Sequence, residues 1–108
     1  MNTHPMKLVT IVCEAHARDA VTRLLREVGA HGWTLFPVEG DGSQGRRLAD
    51  IPEYANIQVE VIVKPEVAER LLERLGGDFF PRYAMIAFES DVRVLRCLLY
   101  TSPSPRDS

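Results

Sequence analysis

Residues 6–29, MKLVTIVCEAHARDAVTRLLREVG, pass directly from a strand pattern to a helix pattern. Residues 6–13 are apolar on both faces and rich in β-branched side chains, as a central strand requires. From 14 to 28 the spacing changes. Ala17, Ala20, Val21, Leu24, Leu25 and Val28 form a helical stripe, with Arg18, Asp19, Arg23, Arg26 and Glu27 on the other side. Gly29 supplies the stop.

The same strand-then-helix unit recurs downstream. Residues 33–38 predict a second strand, with Trp33 and Leu35 on one face and Thr34 and Phe36 on the other. Residues 39–53 have little apolar content and contain Gly40, Gly42 and Gly45, which predicts a long loop of the kind that usually carries function. ANIQVEVIV, residues 55–63, alternates: Ile57, Val59, Val61 and Val63 share a face opposite Gln58 and Glu60. Pro65 fits the first turn of a second helix. Val67, Ala68, Leu71, Leu72 and Leu75 form its stripe, Glu66 and Arg70 an i,i+4 pair, and Gly76-Gly77 its end. AMIAF, residues 84–88, is the fourth strand, with a short extension at 92–95.

The order βαββαβ predicts an α+β, ferredoxin-like fold with the long loop between strands two and three. Two helices cover only one face of a four-stranded sheet, yet strand one is apolar on both faces and strands two and four nearly so. The bare face predicts an oligomer whose sheets pack together.

At 108 residues the chain holds one domain. Apolar residues at 45% exclude a disordered chain, and a net charge of −2 argues against non-specific nucleic-acid binding. No apolar run approaches about 18 residues, and the N-terminus lacks the pattern of a signal peptide. A cytoplasmic protein without membrane insertion is expected. Residues 97–108, CLLYTSPSPRDS, resemble a translated sequencing adapter, so the domain is assigned to 1–96 and Cys97 is set apart. Cys13 then reads as a small core residue, with no disulfide expected.

The chemistry gathers at residues 32–47, GWTLFPVEGDGSQGRR, where a strand runs into a glycine-rich loop. Bare backbone N–H groups and the guanidinium groups of Arg46 and Arg47 suit an anion. No nucleophile–base pair or paired acids stand out, so no enzyme is expected. His16 and His31 lack metal-ligand spacing, and no metal site is expected. Trp33 reads as core or interface.

Three stretches together resemble the PII-like signalling proteins, in particular the branch associated with bicarbonate transporters and carboxysomes. They are KLVTIVCEAHARDAVTRLLREVGAHGWTLFPVEGDGSQG, ANIQVEVIV and YAMIAFESDVRVL, in that order over residues 7–96. The resemblance implies a homotrimer that binds adenine nucleotides in clefts between subunits. It makes residues 39–53 a T-loop that touches a target protein such as a transporter. It places Thr34 near the nucleotide, Gly40, Gly42 and Ser43 at the phosphates, and Arg47 in a phosphate pair with Arg46 beside it. Tyr83 matches an aromatic before strand four, and Arg93 the Arg of a Val-Arg strand that reaches phosphates. Bicarbonate is implied as a second ligand at the loop base, and no other cofactor. Asp41 stands where relatives often have Lys between the two glycines. A carboxylate there is unfavourable beside phosphates and shifts the expectation from ATP towards AMP, ADP or cyclic AMP. DFFPR, residues 78–82, replaces the Gly-Asp-Gly-Lys phosphate loop of the nitrogen regulators. Tyr54, at the far end of the loop, is not read as a modification site. A divalent-cation-binding trimer of the copper-tolerance type, using Cys13 with His16 or His31, is the alternative with the same fold. An amino-acid-sensing βαββαβ module fits the Arg-terminated loop less well.

Overall fold

The computed structural model describes residues 2–39 and 56–95. Within them the elements are β1 (His4–Glu14), a 3₁₀ turn (Ala15–Ala17), α1 (Arg18–Glu27), β2 (Thr34–Val38), β3 (Asn56–Val63), α2 (Pro65–Arg74), a π-helical turn (Leu75–Phe79) and β4 (Met85–Val94). The four strands form one antiparallel sheet in the order β2-β3-β1-β4. This is the ferredoxin-like arrangement expected from the sequence.

β1 lies at the centre because it is apolar in both directions. Val9, Ile11 and Cys13 point into the helix-covered core, where they meet Val59, Val61 and Ile57 of β3. β3 alternates without exception: its four odd-numbered residues are buried and its four even-numbered ones half-buried. The stripes of both helices close the layer, with Val21, Leu24, Leu25, Ala68 and Leu71 fully buried or nearly so. Trp33 and Leu35 pack against this core, as the two-residue period predicted, and the Arg26 guanidinium lies 5.5 Å over the Trp33 ring.

α1 ends as Gly29 dictates. Gly29 takes φ +85°, its N–H donates to the Arg26 carbonyl (3.1 Å), and the Ala30 N–H donates to the Leu25 carbonyl (2.8 Å). This is a Schellman motif, and its two hydrophobic members, Leu25 and Ala30, are both buried. Arg70 donates to the carbonyl of Val28 (2.9 Å), placing a cation at the C-terminal end of α1.

Four local expectations change. The first helical turn is a 3₁₀ turn, which buries Ala17 as the chain leaves β1. Arg70 turns to Val28 instead of pairing with Glu66, because a helix-end carbonyl is within its reach. Gly76-Gly77 does not end the second helix. The backbone continues through a π turn, with the Phe80 N–H donating to the Leu75 carbonyl (2.9 Å), so that both Leu75 and Phe79 reach the core. β4 is one strand of ten residues, because β1 extends to His4 and offers it a partner at every position from Met85 to Val94.

The other face of the sheet carries no helix. Ile86 and Phe88 are 58% and 50% exposed there, beside Leu8, Val12, Ile62 and Phe36. Near its centre the Gln58 Nε2 donates to Glu60 Oε2 (3.0 Å), and Thr10 is buried between Glu60 and Phe88.

Leu71→Ala empties a fully buried position between α2 and the sheet. It is expected to cost about 2–5 kcal/mol in denaturant-induced unfolding. A loss within the range of surface substitutions would show that α2 does not close the core.

Candidate functional site

Rows across the sheet locate the candidate residues. One row runs Pro37, Ile57, Cys13, Met85, and another Thr34, Glu60, Thr10, Phe88. β2 and β4 are therefore the two edges, about 14 Å apart across three strand spacings. Thr34 is exposed on one edge, on the face without helices. Tyr83 precedes β4 at the end of the sheet where β2 finishes and β3 begins. Arg93 sits near the opposite end of β4, about 26 Å along the strand from Met85.

Tyr83 is half-buried in an aromatic group. Its ring centroid lies 5.5 Å from that of His16 and 5.7 Å from that of Phe79, and the Arg82 guanidinium sits 5.9 Å over it. The backbone aims it by a tight turn, in which the N–H groups of Arg82 and Tyr83 both donate to the Phe79 carbonyl at 2.9 Å. The π turn that sequence reasoning missed sets up this geometry.

Arg93 lines a cavity of about 730 Å³ at the other end, with Pro5, Met6, Lys7, Pro65, Asp91 and Val92. Lys7 Nζ donates to Asp91 Oδ1 (2.6 Å) and lies 3.6 Å from Glu89 Oε2. The hydrogen bond to Asp91 and the two nearby carboxylates raise the Lys7 pKa above its ordinary value, against some desolvation. Lys7 is thus occupied by carboxylates, whereas Arg93 has no ion-pair partner among the described residues.

Gly40, Gly42, Ser43, Arg46 and Arg47 lie outside the described residues, as do Asp41, Tyr54 and residues 97–108. The structure therefore places Thr34, Tyr83 and Arg93, and within one chain it keeps all three apart: Thr34 on the β2 edge, Tyr83 and Arg93 at opposite ends of the β4 edge. One residue was not singled out in the sequence: Arg23 of α1, placed there only on the side opposite the apolar stripe, lines the same groove as Arg82. Its period-3.6 position carried no sign of this, because the groove is made by the turn after α2.

Among the described residues no three His, Cys, Asp or Glu side chains are grouped to hold a metal ion. Cys13 is buried in the core, and burial pushes its thiol up to about 11. No described helix is long and apolar enough to cross a membrane.

A four-stranded βαββαβ subunit with one bare face and its candidate residues on both sheet edges is a ferredoxin-like protomer. Residues 6–97 match the family model of the nitrogen regulatory protein P-II, and the chain belongs to that family. A PII-like signaling protein of Thermus thermophilus, TTHA0516, is 44% identical over 87% of this chain and 93% of its own, with a TM-score of 0.73. CPII of Thiomonas intermedia K12, a nitrogen regulatory PII-like protein solved with ADP, AMP and bicarbonate bound, is 29% identical over 89% of this chain and 99% of its own, with a TM-score of 0.75. A second CPII structure, with ADP and bicarbonate, is 28% identical over 88% and 93%, with a TM-score of 0.76. The protein is thus a PII-like signalling protein by sequence and fold.

The Cys13 thiol gives a pH prediction. Its pKa is raised on folding, from an ordinary 9.0 to about 11. Below pH 9 the folded and unfolded thiols are both protonated. Between 9 and about 11 the unfolded chain loses the proton first, so stability falls as pH rises through that window. With Cys97 replaced by Ser, Cys13 is expected to resist thiol reagents at about pH 8 until denaturant is added. The fall in stability at higher pH should be smaller in Cys13→Ala. Rapid native-state labelling would contradict this placement.

Proposed function

We propose that this protein is a homotrimeric regulator that binds an adenine nucleotide in the clefts between its subunits. AMP, ADP or cyclic AMP is favoured over ATP, with bicarbonate at the loop base. The observation that carries the reading is the separation of Arg93 from the loop base. Tyr83 lies at the end of the sheet where β2 finishes, Thr34 begins β2 four residues before that end, and Arg93 lies near the other end of β4. No mononucleotide spans that distance within one chain. A neighbouring subunit, docked on the bare face, supplies Arg93 to a ligand held by Thr34, Gly40, Gly42, Ser43 and Arg47, with Arg46 beside it. The ligands of CPII, ADP, AMP and bicarbonate, support the same chemistry.

In this reading the protein binds and signals without turning its ligand over. Nucleotide binding orders residues 39–53, and the ordered or released loop frees or blocks a target protein, such as a membrane transporter, from the cytoplasmic side. Partner and nucleotide then change each other's affinity by the same factor. The copper-tolerance-type reading has less support, since Cys13 faces the core and His16 leans on Tyr83 and on Glu14 (3.3 Å).

Calorimetry with AMP, ADP, ATP and cyclic AMP, with and without bicarbonate, tests the proposal. Binding of at least one nucleotide is expected, and binding of a divalent cation alone would favour the other reading. Arg47→Ala should weaken nucleotide binding by about 1.5–3 kcal/mol, the scale of a lost charged hydrogen bond. Unchanged affinity removes Arg47 from the site.

Phe88→Asp places a charge on the bare face and is expected to convert trimer to monomer in light scattering. A trimer that survives it would move the subunit contact elsewhere.

A further inference from the structure

We infer that Lys7 is a positioning residue for anion binding: by holding Asp91 and Glu89 it keeps both carboxylates off Arg93 and leaves that guanidinium free. This rests on the nucleotide reading above, in which Arg93 of one subunit serves the ligand of its neighbour.

The strand period sets the problem. Glu89, Asp91 and Arg93 are alternate residues of β4, so they leave the sheet on the same side. Register puts them opposite Val9, Lys7 and Pro5 of β1, on the side the helices cover. Asp91 and Arg93 stand about 7 Å apart along the strand, and both are exposed. A carboxylate and a guanidinium at that spacing attract each other. Yet Arg93 makes no ion pair among the described residues.

Lys7 takes the acids instead. Its Nζ donates to Asp91 Oδ1 at 2.6 Å and lies 3.6 Å from Glu89 Oε2. The Lys7 side chain is 26% exposed and that of Asp91 86%. Its stem runs along the cavity wall beside Pro5, Met6 and Pro65, which holds the ammonium at the carboxylates. Two cations and two carboxylates then balance. Without Lys7 the same cluster carries −1, and Asp91 is free to occupy the fork that a phosphoryl group needs. Lys7 thus acts through Arg93.

Calorimetry of the full chain with ADP tests this. Lys7→Met keeps the packed stem and removes the charge. It is expected to weaken ADP binding about three- to tenfold, the size of one nearby charge at a solvated surface. Lys7→Arg should bind like the parent. Adding Asp91→Asn to Lys7→Met should restore most of the loss, and Asp91→Asn alone should bind at least as tightly as the parent. Raising salt from about 0.05 M to about 0.5 M should shrink the difference between the parent and Lys7→Met. A lost packing contact would show neither the rescue nor the salt dependence. The proposal is overturned if Lys7→Met binds ADP as the parent does or if Asp91→Asn fails to restore binding. It is equally overturned if Asp91→Asn alone weakens binding, or if the deficit persists unchanged at high salt. Each of these results leaves the nucleotide reading standing. A parent that binds no adenine nucleotide removes that reading and this one with it.

Discussion

Two helices can blanket one face of a four-stranded sheet and no more, and the rest of this protein follows from that limit. On the covered side, β1 and β3 meet α1 and α2 in a core of aliphatic side chains with Cys13 and Phe79 at its margins. On the other side Ile86 and Phe88 remain half exposed on an apolar surface. Leaving such surface in water forfeits about 25 cal/mol for every Å² that a partner would cover. The polar residues in its middle are already prepared for burial. Glu60 accepts from Gln58 within the same strand, which lowers the cost of excluding water from either.

The strand order then decides how ligand and assembly relate. Because β2 and β4 are the two edges, residues on both stand where neighbouring subunits meet in the proposed trimer. Arg93 at one end and the loop base at the other serve one ligand only when contributed by different chains. In such an arrangement the nucleotide, the subunit contact and the order of the loop are thermodynamically linked, and none responds without the others.

The helix layer has its own electrostatic order. Arg70 caps α1, and Arg74 bridges Glu27 of α1 to Asp78 of the turn beyond α2. These contacts are partly exposed and individually worth little. Their effect is on geometry: they hold the π turn beside α1, so that Arg82 and Arg23 share a groove whose carboxylates are already spoken for.

Much of this was legible in the residues. The alternation of 57 to 63, the stripes of both helices and the glycine at 29 are local signals, and each element formed where its period placed it. β1 likewise took an interior place, as a strand apolar on both faces requires, and β3 holds the other. Thr34, Tyr83 and Arg93 were singled out by their resemblance to a family pattern, and the chain belongs to that family. Tertiary context decided the rest. β4 is ten residues long because β1 is there to pair with it, although Glu89, Ser90 and Asp91 interrupt its apolar run. Gly76-Gly77 stays helical because Phe79 gains more by reaching the core than the chain gains by stopping. Arg23 and Arg82 line one groove, and Arg93 stands apart from Thr34, for a single reason: both relations join residues far apart in the chain. Periodicity reports only which side of its own element a residue occupies, whereas packing decides which other elements share that side.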